Sequence, residues 1–173
     1  MDRGTHELGL ALDLLASTLS WAQQRREALP VAAEAVAAWR AIAAVRLSEL
    51  GSLADALSKH GFYQWHVGAD DYGLASAEEA EAIVRELVTV NPGRWEGTLV
   101  NVLGSAWRSF DWHGQTERAL AATEDVVRIR RALGDGALPR ALGEWATMLD
   151  RAGRPEEAQS ARAEQQALTA VVG

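Results

Sequence analysis

Apolar residues recur along this chain at intervals of three and four, the spacing that places side chains on one face of an α-helix. The segments are rich in alanine, glycines separate several of them, and alternating β-branched strands are absent. Eight helices are predicted, at about residues 6–22, 27–46, 52–67, 74–90, 96–112, 117–133, 138–151 and 156–170. Ser76-Ala77-Glu78-Glu79 predicts a capping box, Asp70 or Asp71 is expected to cap the helix that begins near Gly73, and Pro155 fits a helix's first turn.

The helices share one register, as four pairs. In the second helix of a pair, a leucine is followed five residues on by an acid and eleven residues on by an arginine. These residues are Leu29, Glu34 and Arg40, then Leu74, Glu79 and Arg85, then Leu120, Asp125 and Arg131, and the fourth pair continues from Gln159. Between the helices of each pair, a turn residue stands five positions before a small residue. These positions are Gln23 and Ala28, Gly68 and Gly73, Gly114 and Ala119, and Gly153 and Ala158.

The segment Leu142-Gly-Glu-Trp-Ala-Thr-Met-Leu149-Asp-Arg-Ala-Gly153-Arg-Pro-Glu-Glu-Ala158 resembles the tetratricopeptide repeat (TPR), particularly the longer, alanine-rich repeats of bacterial proteins. The resemblance covers about residues 8–170. It implies an all-α fold, a right-handed α-solenoid of about four helix-turn-helix repeats in one domain over residues 1–173. The repeats would lie at about 8–46, 52–90, 96–133 and 138–170.

Two features depart from the family pattern. The repeats exceed the usual ~34-residue period, and His60 and Gln64 occupy positions where apolar residues are expected. A different array of α-helical hairpins therefore stays open, and a single helical bundle is a less favoured alternative.

In TPR-like arrays the first helix of each pair lines a concave groove, so the resemblance implies a set of groove residues. They are Asp13, Trp21, Asp55, Phe62, Trp65, His66, Arg108, Asp111, Trp112, Arg140 and Arg151. Trp21, His66, Trp112 and Arg151 hold equivalent positions, and tryptophan and arginine are common anchors of interfaces. For Trp21 and Trp112, packing between pairs is as well supported as a place in the groove. Trp39, Trp107 and Trp145 fall on core stripes and are expected to be buried.

These residues predict a scaffold that binds a protein or peptide in the groove. Because Asp13 and Asp55 stand at one end of the row and arginines at the other, the basic end of a peptide is expected near the first two pairs. The alternative hypothesis is a small-molecule sensor or small enzyme with an aromatic pocket around Phe62, Trp65, His66 and Trp112. The acids Glu78, Glu79, Glu81, Glu124 and Asp125 are expected on a solvated convex surface.

Composition narrows the choice of partner. The chain has no cysteine, which excludes disulfides and thiol catalysis and favours a cytoplasmic setting. A formal charge of −7 argues against binding to nucleic acid or to an anionic membrane surface. The sequence contains no run of eighteen apolar residues, so no membrane span is predicted. The acidic N-terminal stretch does not resemble a signal peptide.

No catalytic motif is recognised, and neither a cofactor nor a metal is expected. His6-Glu7 lacks the second histidine of the zinc-protease pattern, and no nucleophile elbow or phosphate-binding glycine loop occurs.

At the C-terminal end, the stretch Ala167-Leu-Thr-Ala-Val-Val-Gly173 is apolar for a terminal repeat. Either a second copy of the chain, as a homodimer, or further repeats of a larger regulatory protein are expected to cover it.

Overall fold

The computed structural model describes residues 3–68, 70–134 and 136–172, and it describes the side chains of residues 4–68, 73–134 and 136–170. Within that part of the chain the elements are eight α-helices, one short 3₁₀-helix and no strand. The helices are α1 (Arg3–Trp21), α2 (Arg25–Ala43), α3 (Leu50–His66), α4 (Asp70–Val90), α5 (Pro92–Trp112), α6 (Thr116–Leu133), α7 (Leu138–Arg151) and α8 (Pro155–Val172). The 3₁₀-helix is Leu47–Glu49. Each predicted helix is present, with ends that differ by four residues at most.

The chain divides into two units, Met1–Ser109 and Phe110–Gly173. The first unit contains α1 to α4 and α5 as far as Ser109. The second contains the end of α5 and α6 to α8. The single domain over residues 1–173 stays a prediction.

In the first unit, α1 packs on α2, α2 on α3, and α3 on α4. Small residues allow these helices to approach closely. Ala16, Ala28 and Ala32 form a buried cluster with Tyr63, and a methyl group added at Gly61 would lie 3.0 Å from the carbonyl oxygen of Gly73. The small residues that the register placed between paired helices therefore lie at helix crossings.

In the second unit, α6 packs on α7 and α7 on α8. Leu142, Met148 and Leu149 of α7 are fully buried between their neighbours. Ala119 and Ala158, the small residues of the third and fourth pairs, are also fully buried. The apolar positions of the TPR-like segment thus form the core of this unit.

The four turn residues share a left-handed backbone. The φ angles of Gln23, Gly68, Gly114 and Gly153 are 63°, 78°, 73° and 73°. At Gly114, the amide of Gln115 donates to the carbonyl of Phe110 (2.8 Å) and that of Gly114 to the carbonyl of Asp111 (3.0 Å). This pair of bonds is a Schellman motif, which satisfies the last carbonyl groups of a helix.

Ion pairs join the second helices of neighbouring pairs at equivalent positions. In the first unit, Nη2 of Arg40 in α2 lies 2.7 Å from Oε2 of Glu79 in α4. In the second, Nη2 of Arg131 in α6 lies 2.8 Å from Oε2 of Glu164 in α8. Arg40 and Arg131 hold the same register position, and so do Glu79 and Glu164. The sequence register therefore corresponds to equivalent contacts in space.

Ser76 is not a helix cap, because α4 begins six residues before it. Its buried hydroxyl instead donates to Oε1 of Gln64 (3.0 Å) and lies 3.2 Å from Nδ1 of His60. Since the one serine proton is used on Gln64, His60 donates from Nδ1 to the serine oxygen. This network explains the two polar residues at expected apolar positions. The predicted capping role of Asp70 or Asp71 lies outside the described side chains.

Two surface expectations differ from the structure. Glu81 is buried, and its Oε1 lies 2.8 Å from Nε of Arg85, so it is not part of a solvated surface. Large exposed apolar side chains occur on α1, where Leu14 is 66% exposed, but not on the described part of α8. Apart from Pro155, the exposed positions on the described part of α8 carry alanine or polar groups. Coverage by a homodimer or by further repeats stays a prediction.

Candidate functional site

A cleft of about 480 Å³ opens in the first unit between α1, α3 and the turn from α1 to α2. We call it the α1–α3 cleft. Its lining residues are Ser17, Ser20, Trp21, Gln23, Arg25, Lys59, Phe62 and Tyr63. Two of the predicted groove residues, Trp21 and Phe62, are among them.

Three aromatic side chains line the cleft, and we call them its aromatic wall. Trp21, the last residue of α1, is 79% exposed. Phe62 is half-buried and Tyr63 is buried, with their ring centroids 5.9 Å apart. An indole held at a helix end with most of its surface in water is an apolar surface that a partner could bury. Trp21 is therefore exposed at the cleft, while its place in a binding groove stays a prediction.

The acids predicted for the groove are engaged within the protein. Lys59 Nζ lies 2.7 Å from Oδ2 of Asp55 and 3.6 Å from Oδ1 of Asp13. The indole of Trp39, which is 1% exposed, donates from Nε1 to Oδ2 of Asp13 at 2.7 Å. Asp13 thus links α1, α2 and α3, and the acidic character expected here is reduced by the lysine.

The pKa values of this cluster follow from burial and charge. Burial raises the pKa of Asp13 above its usual value, against the opposing effects of Lys59 and of the Trp39 hydrogen bond. Burial acts to lower the pKa of Lys59, but its hydrogen bond with Asp55 and the charges of both acids outweigh burial, and the pKa is raised. The lysine is therefore a permanent cation that already has two carboxylate neighbours.

A second cavity of about 320 Å³ adjoins the first and shares Gln23 and Arg25 with it. Its other lining residues are Arg26, Glu27, His66 and Val67. The Nε–H of Arg25 is buried and has no acceptor among the described residues. A partly buried guanidinium with an unused donor is a group that an anion could bind.

His66 lines the second cavity. Its Nδ1 lies 2.9 Å from the carbonyl oxygen of Phe62 and therefore carries the proton in the neutral ring. Burial lowers the pKa of His66, the hydrogen bond to Phe62 opposes this, and the charges of Arg25 and Arg108 lower it further. The ring of Trp65 packs against it edge-on, 4.6 Å between centroids. Trp65 itself is half-buried and lines neither cavity.

Arg108 is half-buried and folds back along its own helix. Its Nη1 donates to the carbonyl of Gly104 (3.2 Å), and its guanidinium carbon lies 4.4 Å from the ring centroid of Trp107. Trp107 is buried, as the core stripe predicted.

The predicted groove residues of the second unit form their own ion pairs. Arg151 of α7 bonds to Asp111 at the end of α5, and Nε of Arg140 lies 3.2 Å from Oε1 of Glu144 one turn later. Trp112 beside them is 64% exposed. Arg140 and Arg151 are therefore charges with internal partners. Trp145, expected in the core, is half-buried with its indole nitrogen covered.

The two charged residues of the cleft, Arg25 and Lys59, are not among the predicted groove residues. Lys59 stands four residues after Asp55, the spacing at which oppositely charged side chains meet on a helix. Arg25 opens α2, where a basic residue is unfavourable for the helix dipole. Both signals were present in the sequence.

Two kinds of feature are absent from the described residues, a metal site and a membrane span. No cluster of three or more histidine, aspartate or glutamate side chains there could hold a metal ion. No helix there combines the length and the apolar character needed to cross a membrane.

Comparison with known proteins identifies the fold. No family model and no curated protein matches this chain. It is similar to a crystal structure of nearly identical TPR-like repeats assigned to a kinesin light chain of Podosopora anserina, with 19% identity and a TM-score of 0.75 over 98% of this chain and 78% of the other. A variant of the same repeats has 17% identity and a TM-score of 0.44 over 99% and 98% of the two chains. The first likeness confirms the predicted all-α, TPR-like helical repeat fold.

Proposed function

We propose that this chain is a protein-interaction module that binds a peptide segment of a partner protein in the α1–α3 cleft. TPR-like repeats generally mediate interactions between proteins, which supports this class of function. The observation that carries the proposal is Trp21, an indole 79% exposed at the edge of a cleft of about 480 Å³. Large aromatic anchors that become buried on binding dominate the energetics of protein interfaces.

The shape of the site also favours a segment of chain over a small metabolite. The two adjoining cavities share Gln23 and Arg25, so one ligand could extend from the aromatic wall to the guanidinium. The site that we propose retains Trp21, Phe62 and His66 from the predicted groove and adds Arg25. Asp13 and Asp55 contact Lys59, which also lines the cleft.

The test is selection from a displayed library of random peptides by the whole chain, followed by affinity measurement on synthetic copies of the selected peptides. Trp21→Ala should weaken their binding by about thirtyfold or more, the effect of removing an interface anchor. Trp112→Ala is the matched control, because Trp112 is also exposed but belongs to the second unit. It should leave affinity unchanged.

The proposal would fail if no peptide were selected, or if both tryptophan variants bound the selected peptides equally well. A third result would favour the sensor hypothesis: a collection of small metabolites shifts tryptophan emission in the wild type but not in Trp21→Ala, while no peptide binds.

A further inference from the structure

We infer that the bound segment carries an acidic side chain, whose carboxylate binds to Arg25 and Arg26 while a neighbouring apolar side chain lies on Trp21 and Phe62. This inference rests on the proposed function, since it names the chemistry of the peptide in the same cleft. It assigns the opposite charge to the one expected from Asp13 and Asp55.

The first step is the unused donor of Arg25. A buried N–H without an acceptor costs about 1–3 kcal/mol, and Nε of Arg25 is such a group within the described residues. A carboxylate is the acceptor that matches the fork geometry of a guanidinium and can accept two of its N–H groups at once. A carboxylate that binds the guanidinium of Arg25 could supply the acceptor that Nε lacks.

Arg25 and Arg26 differ from the arginines that form ion pairs between helices. Arg40, Arg131 and Arg151 each bond to a carboxylate on another helix. Arg25 and Arg26 form no ion pair in the part of the chain that the structure describes, although both line the second cavity. Cationic side chains that line a cavity and lack an internal partner are available to a ligand.

The third step compares the four second helices at their first residues. The sequence places Asp70-Asp71 at the start of α4, Glu117 in the first turn of α6, and Glu156-Glu157 in that of α8. Acids are favoured at this end of a helix, and cations are not. The second helix of the first pair also has Glu27 in its first turn, but it alone begins with two arginines, Arg25-Arg26. The helix does not gain from this pair of arginines, so we assign the pair to binding.

Two other charged residues, Lys59 and Glu27, line the cavities. Lys59 already contacts Asp55 and Asp13, so it does not provide the charge for a partner. Glu27 also lines the second cavity and repels an acidic ligand. Removing its charge should therefore have the opposite effect on binding from removing the charge of Arg25. Because Arg25 lines both cavities, an acid bound to it lies next to the aromatic wall. That continuity matches a peptide with adjacent acidic and apolar side chains.

The test repeats the peptide selection with the whole chain and compares the acidic content of the selected peptides with that of the starting library. Wild-type protein should enrich aspartate or glutamate beside an apolar residue. Arg25→Gln and Arg26→Gln should each weaken the selected acidic peptides by about tenfold. Glu27→Gln should strengthen their binding. Arg46→Gln, at an exposed arginine elsewhere in the first unit, is the control that should change little.

The outcomes separate this inference from the proposed function. If peptides depend on Trp21 but show no acidic enrichment, or bind Arg25→Gln and Arg46→Gln equally, the module stands and the acidic partner is refuted. If no selected peptide depends on Trp21, both fail. Circular dichroism and the unfolding midpoint of each variant show whether it is folded, and Arg26→Gln, at an exposed position, provides the test if Arg25→Gln is unstable.

Discussion

Replacing Gln23 with glycine should stabilise the protein. Gln23 is the single non-glycine residue with a positive φ in the described part of the chain, at 63°. Its amide donates to the carbonyl of Ser20 (3.0 Å) and that of Gln24 to the carbonyl of Leu19 (2.9 Å). The same Schellman motif is formed around Gly114, so a glycine should fit the turn without any change in hydrogen bonding.

The size of the gain follows from two opposing terms. A left-handed conformation costs a residue with a side chain roughly 1–2 kcal/mol, and Gln23→Gly removes that cost. Glycine also loses more conformational freedom on folding, by about 0.5–1 kcal/mol. The net stabilisation should be about 0.5–1 kcal/mol, which for a protein of this size shifts the unfolding midpoint by about 1–4 °C.

The assay is urea unfolding followed by circular dichroism, with Gly153→Gln as the reverse change at the equivalent turn of the second unit. Gly153→Gln should destabilise by a similar amount, since its φ is 73° and no atom lies within 4 Å of the position that a Cβ would occupy. If the two units unfold separately, each variant should move the transition of its own unit. Destabilisation by Gln23→Gly, or no effect of Gly153→Gln, would refute the assignment of the cost to backbone conformation.

Two further predictions concern packing and pH. Gly51→Ala should destabilise by about 1–3 kcal/mol, because the new carbon would overlap Cζ3 of Trp95. Gly104→Ala meets no atom within 4 Å and should stabilise the helix by about 1 kcal/mol. Equal effects of the two changes in urea unfolding would contradict this packing. The free energy of unfolding should decrease as pH falls below 6.5. Burial is the largest cause that lowers the folded-state pKa of His60 and His66 below that value. The unfolded chain therefore binds more protons than the folded one as the pH falls. His60→Gln should reduce the slope between pH 7 and 5, and an unchanged slope would count against the buried neutral histidine.

The fold was predictable from the sequence because the turns and crossings repeat. A left-handed residue, a small residue five positions later and a leucine one position after that recur in three pairs, and local backbone chemistry decides each of them. The helix ends were less predictable. Prediction began α4 near Leu74 and α5 near residue 96, but the structure begins both four residues earlier. The start of α5 did carry a capping pattern, since Asn91 precedes Pro92 and its side-chain oxygen accepts from the amide of Arg94 (3.3 Å).

The charges of the site could not be predicted in the same way, because their partners lie on other helices. Asp13 binds Trp39, which is 26 residues away, and Lys59, which is farther along the chain. A helical wheel gives the face of each side chain but not the length and direction of its contacts. The predicted acidic end of the groove therefore depended on the position of one lysine, whose pairing with Asp55 was the part that spacing alone could have shown.

The positions that follow the register and those that depart from it have different roles in this chain. Residues that recur from pair to pair make turns, crossings and the ion pairs of Arg40 and Arg131, all of which stabilise helix packing. Where a pair departs from the register, another interaction must compensate for the cost of the departure. At His60 that interaction is the hydrogen bond with Ser76. At Arg25 no such partner is found in the described chain, and the departure lies in a cleft beside an exposed indole. The acidic segment that we propose as ligand would supply the missing compensation there, so the search for function should begin at the first turn of α2.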